Sequence, residues 1–144
     1  MHQFDKVEIV RIENPECSYD GLNKMLNHVK KLLHSLELPY RILNLCGGDL
    51  GFTSAITYDF EIFSSAQNKW LEVSSVSNFE TFQSIRLKLK YRDINGKNQF
   101  AHTLNGSSLA LPRVMAGILE NNQTNDSIKI PKVLIPYTDF KLIN

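Results

Sequence analysis

His102-Thr103-Leu104-Asn105-Gly106-Ser107-Ser108-Leu109-Ala110-Leu111-Pro112-Arg113, continuing into Val114-Met115-Ala116-Gly117-Ile118-Leu119-Glu120-Asn121-Asn122, is the stretch on which the fold turns. Its first residues suit a strand. Asn105-Gly106-Ser107-Ser108 is rich in turn formers, and an apolar helical stripe follows. The spacing therefore predicts a strand that ends in a polar turn and breaks into a helix over about Ser108 to Asn121. Pro112 is tolerable only in a first helical turn, so it moves the start toward Ala110 or Leu111. Unpaired N–H groups at such a helix start can cradle an anion, and Arg113 beside them is a permanent forked cation suited to phosphate.

Outward from that stretch, the chain reads as an α+β domain. Leu22, Met25, Leu26, Val29, Leu32, Leu33 and Leu36 recur at helical spacing before Pro39, with Lys24, Lys30 and Lys31 off the stripe. Ser18 is the predicted N-cap of that helix. Phe4 to Glu13 is predicted as a strand buried on both faces over part of its length. Tyr40 to Cys46 reads as a strand, and Gly47, Gly48 and Gly51 mark a loop. Tyr58 to Ser64 and Lys69 to Asn78 read as a hairpin around Ala66-Gln67-Asn68. Thr81 to Ile85 suits a short helix. Leu87, Leu89 and Tyr91 alternate with Lys88, Lys90 and Arg92 in a predicted half-exposed strand, and Asn95-Gly96 is a turn signal. Gln99 to Leu104 returns as a strand, and the residues after Asn122 form a tail with one short turn. Strands with hairpin joins and two main helices predict an antiparallel β-sheet with flanking helices, in one domain spanning 1–144.

Composition narrows the function classes. At 144 residues the chain can bury a sizeable core, and its 42% apolar and 22% charged residues suit an ordinary globular protein. A net charge of +1 sets up no strong field toward nucleic acid or membrane. Two cysteines, Cys17 and Cys46, make neither a zinc ribbon nor a disulfide framework, and a reducing cytoplasm is the simplest setting. No apolar run reaches the length of a membrane span, so no membrane partner is expected.

Three stretches in order resemble class II aminoacyl-tRNA synthetases, and specifically the seryl-tRNA synthetases. The wording His-Thr-Leu-Asn-Gly-Ser at 102–107 is that of their motif 3. Met1-His2-Gln3-Phe4-Asp5-Lys6-Val7-Glu8 resembles the second strand of motif 2. Gly47-Gly48-Asp49-Leu50-Gly51-Phe52-Thr53-Ser54-Ala55, Ala66-Gln67-Asn68-Lys69 and Glu72-Val73-Ser74-Ser75-Val76-Ser77-Asn78-Phe79 resemble the central hairpin. The likeness covers nearly the whole chain, from mid motif 2 through motif 3. It implies the C-terminal part of a catalytic domain, with motif 1, the tRNA-gripping coiled coil and the motif 2 arginine not found here. On that ground the chain is expected to be inactive alone.

Each residue the likeness singles out also has a plainer reading. Phe4 is a core aromatic by composition; the likeness implies stacking on adenine, beside backbone contacts at Met1. Glu8 is an exposed strand carboxylate, or by the likeness a group that binds the ammonium of serine. Glu72, Ser74 and Ser75 form a polar outer face, with Ser75 pointing away from the other two unless a bulge intervenes. The likeness instead implies that Glu72-Val73-Ser74-Ser75 bind ATP, with Glu72 and Ser75 reaching Mg²⁺. Asn105 and Ser107 are turn and cap residues, or by the likeness the lining of a serine pocket. Arg113 is a surface helix arginine, or by the likeness the group that meets the γ-phosphate.

Taken together, the likeness implies ATP-dependent activation of serine and its transfer to tRNA(Ser), with Glu72 and Arg113 as the catalytic groups and a homodimer in the full-length protein. Two other classes compete. One is a ligase that loads an amino acid onto a carrier protein, which would use a zinc-bound pocket with a cysteine; none sits near Asn105. The other is a non-catalytic module derived from a synthetase. His102 is expected to be structural, and His2, His28 and His34 show no metal spacing together.

Overall fold

Alternation and helical periodicity are realised in chain order as β1 (Lys6–Glu13), α1 (Ser18–Ser35), β2 (Tyr40–Asn44), β3 (Ile56–Ser64), β4 (Lys69–Asn78), α2 (Phe82–Leu87), β5 (Lys90–Arg92), β6 (Asn98–Phe100), β7 (His102–Ala110), α3 (Leu111–Asn121), β8 (Ile128–Lys129), α4 (Ile135–Thr138) and β9 (Leu142–Ile143). This is a computed structural model, and it describes residues 3–144. Five strands form one antiparallel sheet in the order β1-β7-β4-β3-β2. The pairs β5-β6 and β8-β9 are separate two-stranded ribbons.

One face of the sheet carries the core. The apolar stripe of α1 (Leu22, Met25, Leu26, Val29, Leu33) is buried against Phe60, Ile62, Val76 and Leu104, and α3 adds Val114 and Ile118. These large side chains leave water together, which is the main term stabilising the domain. Gly117 lets α3 lie close to the sheet, since a Cβ there would come within 2.3 Å of Ile62 Cδ1. Among the described residues, no long helix lies on the other face of the sheet.

Several local expectations need correction. The strand β7 does not end at Asn105-Gly106; it runs on to Ala110, and the helix begins at Leu111 with Pro112 in its first turn. Asn105 and Ser107 are thus mid-strand residues rather than turn or cap residues, and no Gly-Ser turn exists there to cradle an anion. Gly106 is small for a packing reason. A Cβ on it would sit 2.9 Å from Ser75 O and from Val76 Cα on the neighbouring strand. The requirement for close approach between strands overrides the turn preference of these residue types.

The strand β1 is not buried on both faces, because it lies at the border of this sheet. Val7, Val10 and Ile12 are exposed. Ser18 does not cap α1; it is the first helical residue and its hydroxyl donates to Pro15 O. The predicted strand from Leu87 shrinks to Lys90–Arg92, because α2 extends to Leu87 and Lys88 closes it in a left-handed conformation. The return strand is split at Ala101 into β6 and β7. His102 has the structural role expected of it, with Nδ1 2.8 Å from the buried Ser18 hydroxyl. None of the described helices is long and apolar enough to cross a membrane.

Candidate active site on the open face of the sheet

Two bulges decide which side chains meet. In β4 the register shifts so that Glu61 pairs with Glu72 while Phe60 pairs with Ser74, which leaves Val73 as the extra residue. A bulge of this kind reverses the alternation beyond it. Glu72 and Ser75 therefore share a face with Glu61 and Asp59, although two residues separate them. Val73 and Ser74 turn inward; both are buried, and Ser74 Oγ donates to Ser107 O at 2.5 Å. Only their backbones are left for a ligand.

In β7 a second bulge, at Ser108, lies between the pairs Val7–Leu109 and Glu8–Ser107. Leu109 turns into the core, while Ser107 and Asn105 stay on the outer face opposite Glu8 and Val10. The pairing of Asn105 with Ser77 joins this half of the face to β4. Glu8, Asn105, Ser107, Ser75 and Glu72 thus lie on one surface, the face away from α1 and α3. The sequence expectation that Ser75 points away from Glu72 under strict alternation is replaced by the bulge geometry.

Arg113 reaches this surface from the start of α3. Its Nη1 donates to the Glu72 carbonyl at 2.5 Å, so the guanidinium is tethered beside the Val73 bulge. One of its five donors is used in that bond, which leaves a fork for an anion. Phe4 and Arg113 line a single cleft of about 300 Å³, with Pro112, Ala110, Ala116 and Leu71. Phe4 is about half exposed rather than a core aromatic. Met1 lies outside the described residues.

The electrostatics fit a cation-dependent anion site. The Glu72 carboxyl is held above its ordinary value, first by burial and next by the Asp59 carboxylate. Arg113 opposes this, Glu61 adds to it and Lys6 opposes it again. Asp59 Oδ1 is buried and makes no hydrogen bond. Glu61 is ion-paired with Arg41, and Asp59 keeps a buried oxygen without a hydrogen bond, so Glu72 and Asp59 are the carboxylates on this face left to meet a cation. Hard oxygen donors of this type suit Mg²⁺, with phosphate oxygens and water completing its shell. The described residues contain no ready-made group of three His, Cys, Asp or Glu ligands, so a metal here would need the phosphates.

Sequence reading missed four participants. Lys6 ion-pairs with Glu8 at 3.1 Å and lies between Phe4 and Glu8 in the strand period, a spacing that could have flagged it. Asp59 and Glu61 become neighbours of Glu72 only through the hairpin register. Gln83 on α2 accepts from Thr103 Oγ1 at 2.7 Å and from Asn105 Nδ2 at 3.3 Å, and no local signal announces it.

Comparison with known proteins gives a consistent result. The family model for the tRNA synthetase class II core domain (G, H, P, S and T) matches residues 1–122. The serine–tRNA ligase of Finegoldia magna is 52% identical over 144 residues, covering 99% of this chain and 34% of its own length. The serine–tRNA ligase of Chromobacterium violaceum is 56% identical over 137 residues, covering 94% of this chain and 32% of its own length. Among solved structures, seryl-tRNA synthetase from Pyrococcus horikoshii complexed with ATP superposes with a TM-score of 0.95 at 42% identity, over 99% of this chain and 32% of that one. Cytoplasmic serine–tRNA ligase from Naegleria fowleri in complex with AMP gives 0.92 at 31% identity, over 100% of this chain and 35% of that one. The chain spans about a third of the length of the relatives it matches.

Proposed function

The chain belongs to the class II tRNA synthetase core domain family, and from that premise we propose that its open sheet face is the ATP and serine half-site of a serine–tRNA ligase. The observation that carries this reading is the Val73 bulge. It brings Glu72 and Ser75 onto the surface that also holds Glu8, Asn105 and Ser107, with Arg113 tethered at the edge.

In this reading the adenine lies in the cleft against Phe4, whose ring offers a flat apolar surface to a flat base. Arg113 meets the terminal phosphate. Glu72 and Ser75 would hold Mg²⁺, and the backbone of Val73 and Ser74 would border the phosphates. A divalent ion held there would supply positive charge to offset that of the phosphates. Glu8 accepts from the ammonium of serine, and Asn105 and Ser107 face its hydroxyl.

The serine carboxylate then attacks the α-phosphorus in line. A new phosphorus–oxygen bond forms, the bond to pyrophosphate breaks, and the products are seryl-adenylate and pyrophosphate. No protein nucleophile or base is required, because the carboxylate is already ionised. What this chain supplies is alignment and fixed positive charge. The terminal adenosine of tRNA(Ser) afterwards takes the seryl group as an ester. A homodimer of the full-length protein in a reducing cytoplasm fits the same reading, with Cys17 and Cys46 as free thiols.

The test is Glu72→Gln. The parent chain is expected to bind ATP more tightly when Mg²⁺ is added, and the variant to lose that gain. Stability should move in the opposite direction. A carboxyl whose folded pKa is raised favours the fold fully below its unfolded pKa, near 4.5, and that contribution fades as pH rises through the folded value. The glutamine variant, which mimics the protonated form, should therefore melt higher than the parent at neutral pH and equally at pH 4. A Mg²⁺ gain undiminished in the variant would contradict the assignment.

A further inference from the structure

Asn105 can help select serine only if its amide is turned the right way. A side-chain amide has a donating and an accepting end, and a free rotor would present either. The structure removes that freedom. Gln83, in the first turn of α2, brings Oε1 to 2.7 Å from Thr103 Oγ1 and 3.3 Å from Asn105 Nδ2. Thr103 and Asn105 lie on the same face of β7, two residues apart, so one acceptor spans both donors. The Asn105 NH₂ group is occupied by Gln83, and its carbonyl oxygen is turned the other way.

We propose that Gln83 is a positioning residue for substrate selection, which holds the Asn105 carbonyl oxygen outward to accept a hydrogen bond from the ammonium or hydroxyl of serine. The inference rests on the serine pocket proposed above and adds to it the group that sets its polarity. Gln83 does not itself touch the substrate. It belongs to a short helix outside the sheet, and it is tied to the pocket through Asn105 and the neighbouring Thr103. Thr103 is buried, so its hydroxyl fixes the position of the Gln83 amide from below.

The chemistry makes the proposal separable from a merely structural role. Glutamate at position 83 keeps the accepting oxygen and can only accept from Asn105. Methionine keeps the volume and removes strong hydrogen bonding. Two readouts are needed on the 144-residue chain. The first is hydrogen exchange of the Asn105 side-chain amide, followed in nitrogen-edited NMR spectra. The second is binding of the sulfamoyl analogue of seryl-adenylate, with AMP as the control ligand.

Slow exchange of one Asn105 amide proton is expected in the parent and in Gln83→Glu, and fast exchange in Gln83→Met. The analogue should bind Gln83→Glu within about three-fold of the parent. Gln83→Met should bind it about ten-fold more weakly, with AMP affinity unchanged. Equal binding of the analogue by the parent and Gln83→Met overturns the proposal and leaves the serine pocket standing. So does a glutamate variant as weak as the methionine one, because the opposite amide polarity would then be the productive one. Failure of the parent itself to bind the analogue, with the Asn105 proton still protected, overturns the serine pocket and this inference with it. A global loss of fold in Gln83→Met, seen in its melting curve, leaves the glutamate variant and the exchange data to decide.

Discussion

Gly106→Ala is expected to lower the thermal midpoint of the chain by about 10 °C, a loss of about 3 kcal/mol at this chain length. The added Cβ would stand 2.9 Å from Ser75 O, from Val76 Cα and from Val76 Cγ2. Two of those three atoms are backbone in the paired strand β4, so no rotamer change relieves the contact. The strands must separate, and Val76 and Leu104, both fully buried, move with them. Gly117→Ala is the internal control. Its Cβ meets the far end of the Ile62 side chain, which can rotate away, and a loss of about 1 kcal/mol is expected. Melting curves read from the single tryptophan, Trp70, compare the two. Equal midpoints for Gly106→Ala and the parent would mean that β7 and β4 do not approach as described. The substitution should also disturb ligand binding, since Gly106 lies between Asn105 and Ser107.

Arg113→Ala is expected to weaken ATP binding about 100-fold and to change the melting midpoint little. A guanidinium bonded to phosphate makes charge-assisted, often bidentate hydrogen bonds worth about 1.5–3 kcal/mol. The side chain is exposed, and its hydrogen bond to the Glu72 carbonyl adds modestly to stability. Removing it takes away the cation that counters the burial of Glu72, so the Glu72 carboxyl should rise further above its ordinary value. Arg113→Lys should recover only part of the affinity, because an ammonium cannot supply a planar fork. Calorimetric titration with ATP and Mg²⁺ measures all three proteins. A change of less than two-fold for the alanine variant would place the phosphates elsewhere.

These expectations depend on features the sequence displays unevenly. The stripe of α1 and the hairpin of β3 and β4 were legible because each is local: helical and two-residue periods are written in neighbouring residues. The antiparallel α+β class followed from them. The reach of β7 was not legible. Asn105, Gly106, Ser107 and Ser108 each favour turns by their own chemistry, and only the neighbouring strand explains why a glycine is needed there. Exposure of Val7, Val10 and Ile12 depends on the position of β1 in the sheet, which its own residues do not encode.

The candidate site divides the same way. Glu8, Glu72, Ser75, Asn105, Ser107 and Phe4 were found through family wording rather than through periodicity, whereas Arg113 was also marked by its place at the start of an apolar helix. Strict alternation even set Ser75 against Glu72, because a bulge is a relation between two strands and leaves no mark in one of them. Asp59, Glu61 and Gln83 needed the register and the fold to become neighbours of the site.

The convergence of these side chains on one surface is tested most directly by mapping backbone amide shifts of the chain on titration with ATP, Mg²⁺ and serine together. The account predicts the largest changes at Glu8, Glu72, Ser75, Asn105, Ser107 and Arg113, with Phe4 at the margin. Changes confined to the helical face, at residues such as Lys24, His28 and Met115, would contradict it.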